Sequence, residues 1–315
     1  ISRGVFTLET KEEQSYSGPK FYVSLVPAYK DSASTPLRVC VNSSNKYKGW
    51  SPNDCMIQGP SGLNSLYDVS VRFRWYKEVF HLDLAKFYNQ IESALYDAQL
   101  RRIFWHSDPN QQPHTYLTRT VMFGDVCGGI TAMSALRMTA DLYRNLSARA
   151  AQKLKSDSYC DDIISGADTL QECEQLYSEM TDIVGKGGFS FKGITYSHSD
   201  KEPYQLLGIK WHPKPDKLEL VGQFNLQGKV KGKLIDVPYL KGELVELGEV
   251  TVKQLWRLAM SQFDLLGLAA PFFIRLKLCM RDCVSSNAGE KMNWSKVVSP
   301  EIKTNLEEIV TEMTN

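Results

Sequence analysis

The sequence predicts an α+β fold, and three observations carry the prediction. The run Glu78-Val79-Phe80-His81-Leu82-Asp83 reads as a buried strand, followed by Phe87, Ile91, Leu95 and Ala98 at near-helical steps. Residues 158–165 set apolar flanks around the pair Asp161-Asp162, the pattern of a tight hairpin with acids at its tip. Between them Thr131 to Leu154 is rich in Ala, Met and Leu with no Gly or Pro, a good helix.

The elements follow in chain order. Residues 1–60 are rich in Ser, Pro, Asn and Lys and hold β-like runs at 21–26 and 37–41, which read as strands on loops. A short helix is expected within 62–74. The strand ending at Asp83 should lead into an amphipathic helix over Phe87, Ile91, Leu95 and Ala98, and residues 131–154, free of Gly and Pro, into a second. The acidic hairpin is expected to end at Gly166. Asp168 or Thr169 can then cap a helix that buries Leu170, Cys173, Leu176, Met180 and Ile183 or Val184 and stops at Gly185-Lys186-Gly187-Gly188. Residues 189–222 look like strands and turns. Residues 252–283 look helical, broken by Gly267 and Pro271, and 300–313 form a last amphipathic helix. A boundary near 222–250 would separate a small α-rich domain.

Size and composition narrow the classes. At 315 residues and 35.7 kDa the chain has room for two or three units of about 100–200 residues. It is 43% hydrophobic and 23% charged, and no stretch approaches the roughly 18 apolar residues of a membrane helix. No basic-then-apolar start reads as a secretory signal, and the initial Ile suggests a piece cut from a longer product. Seven scattered cysteines without a CxxC pair fit free thiols in a reducing compartment. Net charge is only +1, but Lys229, Lys231, Lys233 and Lys241 face the single acid Asp236, and the alternation puts three ammonium groups on one side of a strand. That stripe is either a phosphate track or a merely solvated face.

Asp83, Asp161 and Asp162 are the residues with chemistry to offer. An Asp-Asp pair alone is usually a solvated turn. With a strand-ending Asp83 beside it, the pair can supply the converging hard oxygens that two divalent cations, roughly 3.5–4 Å apart, need for nucleotidyl transfer.

Tyr159-Cys160-Asp161-Asp162 is the Tyr-x-Asp-Asp box of reverse transcriptases, and the segment from Phe80 to Ile91 resembles their first aspartate motif. More closely, the chain resembles the reverse transcriptase of Bel/Pao-type LTR retrotransposons. The blocks that carry the likeness are Arg38 to Ser44, Asn53 to Pro60, the Asp83 motif, Phe123-Gly124, the Tyr-x-Asp-Asp box, Gly187-Gly188-Phe189, Leu207 to Trp211 and Phe263 to Pro271. The resemblance implies a right-hand polymerase: fingers and palm over 1–222, with motifs at 38–211 and an antiparallel palm sheet, thumb over 223–290, and the start of a connection segment over 291–315.

The resemblance also implies roles. Asp83, Asp161 and Asp162, with backbone help from Leu84, would be catalytic and hold two Mg2+ ions, for which Mn2+ can substitute. Arg38 would grip the triphosphate through a planar guanidinium, Gly124 would let backbone approach the nucleotide, and Lys192 would protonate pyrophosphate. Tyr88 would close the site to a 2′-hydroxyl, favouring deoxynucleotides. Gln58, Gly59, Gly208, Lys229, Lys231 and Lys233 would face primer and template. The partners implied are an RNA template, an RNA or DNA primer, dNTPs and the polyprotein's protease, RNase H and integrase, in the cytoplasm or in virus-like particles there, with no membrane.

Asn42 stands where the family usually has aspartate, and Gly128-Gly129 where Ser-Pro is common. Two other readings therefore stand beside an active enzyme: a catalytically weakened, host-adopted nucleic-acid-binding protein of the same descent, and an RNA-copying RNA polymerase.

Overall fold

The structure is a computed structural model and describes residues 4–29, 37–220, 246–286 and 291–314, with Arg38 and Thr314 described in their backbone only. The chain divides into two compact units, 1–199 and 200–315, ahead of the expected division at 222–250.

The first unit runs β1 (Phe6–Leu8), α1 (Lys11–Gln14), β2 (Ser24–Tyr29), β3 (Leu37–Asn42), α2 (Pro52–Cys55), α3 (Leu66–Phe73), β4 (Glu78–Leu84), a 3-10 turn (Phe87–Gln90), α4 (Leu95–Gln99), β5 (Arg102–Trp105), β6 (His114–Thr118), α5 (Gly128–Leu142), α6 (Ala148–Ser156), β7 (Ser158–Tyr159), β8 (Asp162–Ala167), α7 (Leu170–Lys186) and β9 (Phe191–Tyr196). All strand pairing in its sheets is antiparallel, in the orders β1-β6-β5, β2-β3 and β7-β8-β4-β9. The last of these sheets positions the acids. Strand alternation sends Phe80, Leu82 and Leu84 of β4 to one face. There they join Met133 and Leu136 of α5, Leu154 of α6, and Leu176 and Met180 of α7 in one buried core. His81 and Asp83, on the odd positions between them, are left half-buried on the other face.

Two expected helices are not continuous. After Asp83 the chain turns at Lys86, in the left-handed region at φ 52°, and forms only the 3-10 turn and the short α4. Between those, Val121 N donates to Ile91 O and Ser93 N to Arg119 O, so backbone pairing with 119–121 outcompetes the helix. Likewise 131–154 divides into α5 and α6. Ser147 accepts from Ala150 N as an N-cap and donates to Glu179 at 2.6 Å, which restarts the helix at 148. Leu170, placed on the buried face of α7, is 46% exposed, while Cys173, Leu176, Met180, Ile183 and Val184 are buried as expected. The cap is Thr169, which accepts from Glu172 N. Gly166 lies inside β8 rather than at its end; a Cβ there would stand 2.4 Å from Glu78 O, so close packing against the neighbouring chain requires glycine.

The second unit opens with three short strands, β10 (Tyr204–Leu206), β11 (Ile209–His212) and β12 (Lys217–Glu219), paired in sequence. Leu207 and Gly208, at φ 49° and 87°, make the two-residue turn between the first two, where positive φ at both positions matches strand twist. Helices α8 (Val252–Ser261), α9 (Ala270–Ser285) and α10 (Pro300–Thr314) then pack around Leu255, Leu276, Met280, Leu306 and Ile309. Pro271 stands in the first turn of α9, where its missing N–H costs nothing. Residues 300–314, expected to begin a connection segment, share this core with the helices expected to form the thumb.

Candidate active site

The acids meet at one end of the four-stranded sheet because register and turn length put them there. β4 and β8 pair so that Asp83 and Asp162 are direct neighbours across the ladder. Tyr159 and Asp162 pair across the hairpin, leaving Cys160 and Asp161 as a two-residue turn with Cys160 at φ 54°. Leu84 N donates to Asp161 O at 2.8 Å and ties that turn to the end of β4. Leu84 enters through its backbone, for its side chain is fully buried.

Like charges at this spacing repel, and the surroundings show how the repulsion is met. Burial first, then Asp162 and Asp83, push the Asp161 carboxyl above its ordinary range, and Lys192 partly offsets them. Lys192 Nζ donates to both oxygens of Asp83, each at 2.7 Å. His81 Nε2 lies 2.8 Å from Asp162 Oδ1. Three carboxylates at one edge are the right donor chemistry for a hard divalent cation, and the Lys192 ammonium occupies both oxygens of one of them. Among the described residues, no three His, Cys, Asp or Glu side chains are already gathered as a metal cage.

Beside the acids lies Tyr88, on the 3-10 turn. Its ring packs on Phe123, with centroids 4.5 Å apart and planes at 38°, and burial followed by the charges of Cys160 and Asp161 raises its hydroxyl above the usual value. A Cβ on Gly128 would lie 3.6 Å from the Tyr88 ring and 3.1 Å from Met122 O, and one on Gly129 3.8 Å from the Tyr88 hydroxyl. Gly128 and Gly129 thus lie against the Tyr88 ring and hydroxyl.

The loop that carries Phe123 is fixed from several sides. Gly124 sits at φ 115°, and a Cβ there would fall 2.1 Å from Val41 O, so only glycine fits. Asn53 spans the loop, donating to Gly124 O at 2.9 Å and accepting from Val126 N at 2.9 Å. Asp125 accepts from Ser43 Oγ at 2.6 Å and forms a buried ion pair with Arg101, which also donates to Ser93 Oγ at 2.8 Å.

The structure brings together Asp83, Leu84, Asp161, Asp162, Lys192 and Tyr88, with Gly124 in the loop behind Tyr88. Arg38 lies in β3 opposite Ala28. Gln58 and Gly59 are on an exposed stretch, Gly59 at φ 74° near Ile130. Gly208 belongs to the second unit, where a Cβ would strike the Phe263 ring at 2.5 Å. Lys229, Lys231 and Lys233 lie outside the described residues. The sequence reading assigned no role to His81, Asn53, Arg101 or Asp125. Strand alternation could have found His81, two positions before Asp83 on the same face, whereas the others are defined by partners distant in sequence.

No family model matches the chain, and no curated protein does. Solved structures do. The foamy viral protease-reverse transcriptase dRH in complex with double-stranded DNA superposes with a TM-score of 0.63 at 15% identity, over 99% of this chain and 46% of that one. The foamy viral protease-reverse transcriptase with an RNA/DNA hybrid gives 0.58 at 14%, over 98% and 34%, and with double-stranded DNA 0.59 at 13%, over 99% and 54%. The fold is therefore that of reverse transcriptases, and this chain spans about a third to a half of those chains.

Proposed function

We propose that the chain is an RNA-directed DNA polymerase that extends a primer with dNTPs by two-metal-ion nucleotidyl transfer, of the Bel/Pao retrotransposon type. The observation that carries this reading is the register that sets Asp83 against Asp162, with Asp161 tied beside them, on a reverse-transcriptase fold. The matching solved proteins were seen with double-stranded DNA and an RNA/DNA hybrid, which supports primer and template as partners here. Fingers and palm would then lie in the first unit and thumb and connection in the second, within a polyprotein that also yields protease, RNase H and integrase.

In this reading Asp83, Asp161, Asp162 and the Leu84 carbonyl would hold the two Mg2+ ions. Bound there, the ions would activate the primer 3′-hydroxyl and bind the triphosphate. Lys192, leaving Asp83, supplies charge or a proton to the departing pyrophosphate. Tyr88, backed by Phe123, presents a ring where a ribonucleotide would need room for its 2′-hydroxyl. Arg38 pairs with phosphate oxygens, and the Gly124 loop shapes the nucleotide's seat.

The test is extension of a DNA primer on an RNA template with Mg2+ and dNTPs. Wild type should incorporate, and Asp161→Asn should lose at least about 10³-fold in rate, as the loss of several kcal/mol of transition-state stabilisation requires. No incorporation by wild type, or full incorporation by the variant, sinks the reading. The Lys192 ammonium seated on Asp83 favours the second reading, a catalytically weakened nucleic-acid-binding protein; tight RNA–DNA duplex binding without synthesis would select it.

A further inference from the structure

His81 belongs to the strand that bears Asp83, two residues before it and on the same face, and its Nε2 lies 2.8 Å from Asp162 Oδ1. A carboxylate oxygen accepts from a ring N–H, so the contact is a hydrogen bond when His81 carries a proton on Nε2. Asp162 and Asp83 are direct cross-strand neighbours, an arrangement of like charges that drives two side chains apart. Among the described residues each is held by a basic side chain. Asp83 has Lys192, whose side chain is 51% exposed and long enough to leave. Asp162 has His81, whose ring is only 13% exposed and sits on a paired strand with two rotatable bonds, so it stays.

We propose that His81 is a positioning residue: its Nε2–H keeps one oxygen of Asp162 engaged and so fixes the orientation of a carboxylate whose cross-strand neighbour is Asp83. This rests on the reading of Asp83, Asp161 and Asp162 as a divalent-cation site. Groups that orient ligands in this way commonly carry a 10–100-fold effect on metal affinity. The geometry also specifies the substitute. Glutamine places an amide nitrogen near the position of Nε2, whereas asparagine is shorter and alanine has no donor.

The test is Mn2+ binding, followed by electron paramagnetic resonance at fixed pH, for wild type and the His81→Ala, His81→Asn and His81→Gln variants, with thermal unfolding measured alongside. His81→Ala and His81→Asn should weaken Mn2+ binding by about tenfold or more, and His81→Gln should restore it to within about threefold of wild type. A purely space-filling histidine would lower the melting temperature without this ordering of affinities. Wild-type affinity in His81→Ala, or His81→Gln no better than alanine, overturns the positioning role. A wild type that binds no Mn2+ at millimolar concentration overturns the cation-site reading itself and the proposal with it.

Discussion

Asp83 and Asp125 are each paired with one basic side chain, and the difference between the two pairs separates the chemistry of this molecule from its scaffold. The Asp83–Lys192 pair is 35% and 51% exposed at the sheet's end, where water competes and the ammonium can exchange. The Asp125–Arg101 pair is 1% and 5% exposed and is extended by Ser43 and Ser93, so neither charge has another outlet. The same pairing thus serves opposite ends: at the edge it is exposed and exchangeable, and under the loop it is a clamp.

Breaking the clamp should have the larger effect on stability. Arg101→Met leaves the Asp125 carboxylate buried with Ser43 alone, and removing one partner of a buried pair typically costs about 3–5 kcal/mol, measurable by denaturant unfolding. Asn53→Ala removes two hydrogen bonds to the loop backbone and should cost about 1–3 kcal/mol. If the proposed polymerase reading holds, it should also raise the KM for dNTP more than it lowers kcat, because the Gly124 loop is loosened. Lys192→Ala should shift stability by no more than about 1 kcal/mol, the scale of an exposed pair, and should tighten Mn2+ binding by freeing Asp83. A large loss of stability in that variant would erase the distinction.

The smallest effect comes from pH. Asp161 has a folded-state value raised above the unfolded one, so its folded form prefers the proton. Its ionisation leaves stability unaffected below the unfolded value and destabilises progressively as pH rises through the folded one. Asp161→Asn should therefore be more stable than wild type at neutral pH in metal-free buffer, with the gap closing as pH falls below the carboxylate range. A gap that widens on acidification contradicts the assignment of that shift to burial and to the neighbouring acids.

What was legible in the sequence was local. The strand ending at Asp83, the acidic hairpin and the capped α7 each follow from residues next to one another, and the α+β class followed with them, although the turn falls at Cys160-Asp161 and Asp162, expected at the tip, opens β8. What escaped were choices made by distant partners. Phe87, Ile91, Leu95 and Ala98 have helical spacing, yet pairing of Ile91 and Ser93 with 119–121 breaks the helix. Ser147 reads as an ordinary helix residue until Glu179 on another helix engages it. The site divided in the same way. The acids announced themselves by motif, whereas Asn53 and the Arg101–Asp125 pair acquire meaning only when the loop folds onto β3 and α2.

The most direct test is the rate of single-nucleotide incorporation on an RNA template by Asp83→Asn, measured together with its unfolding midpoint. The rate should fall by at least about 10³-fold in a protein within about 1 kcal/mol of wild-type stability, because what the substitution weakens is the partly exposed Asp83–Lys192 pair. A rate within tenfold of wild type, or a rate lost only together with the fold, would contradict this.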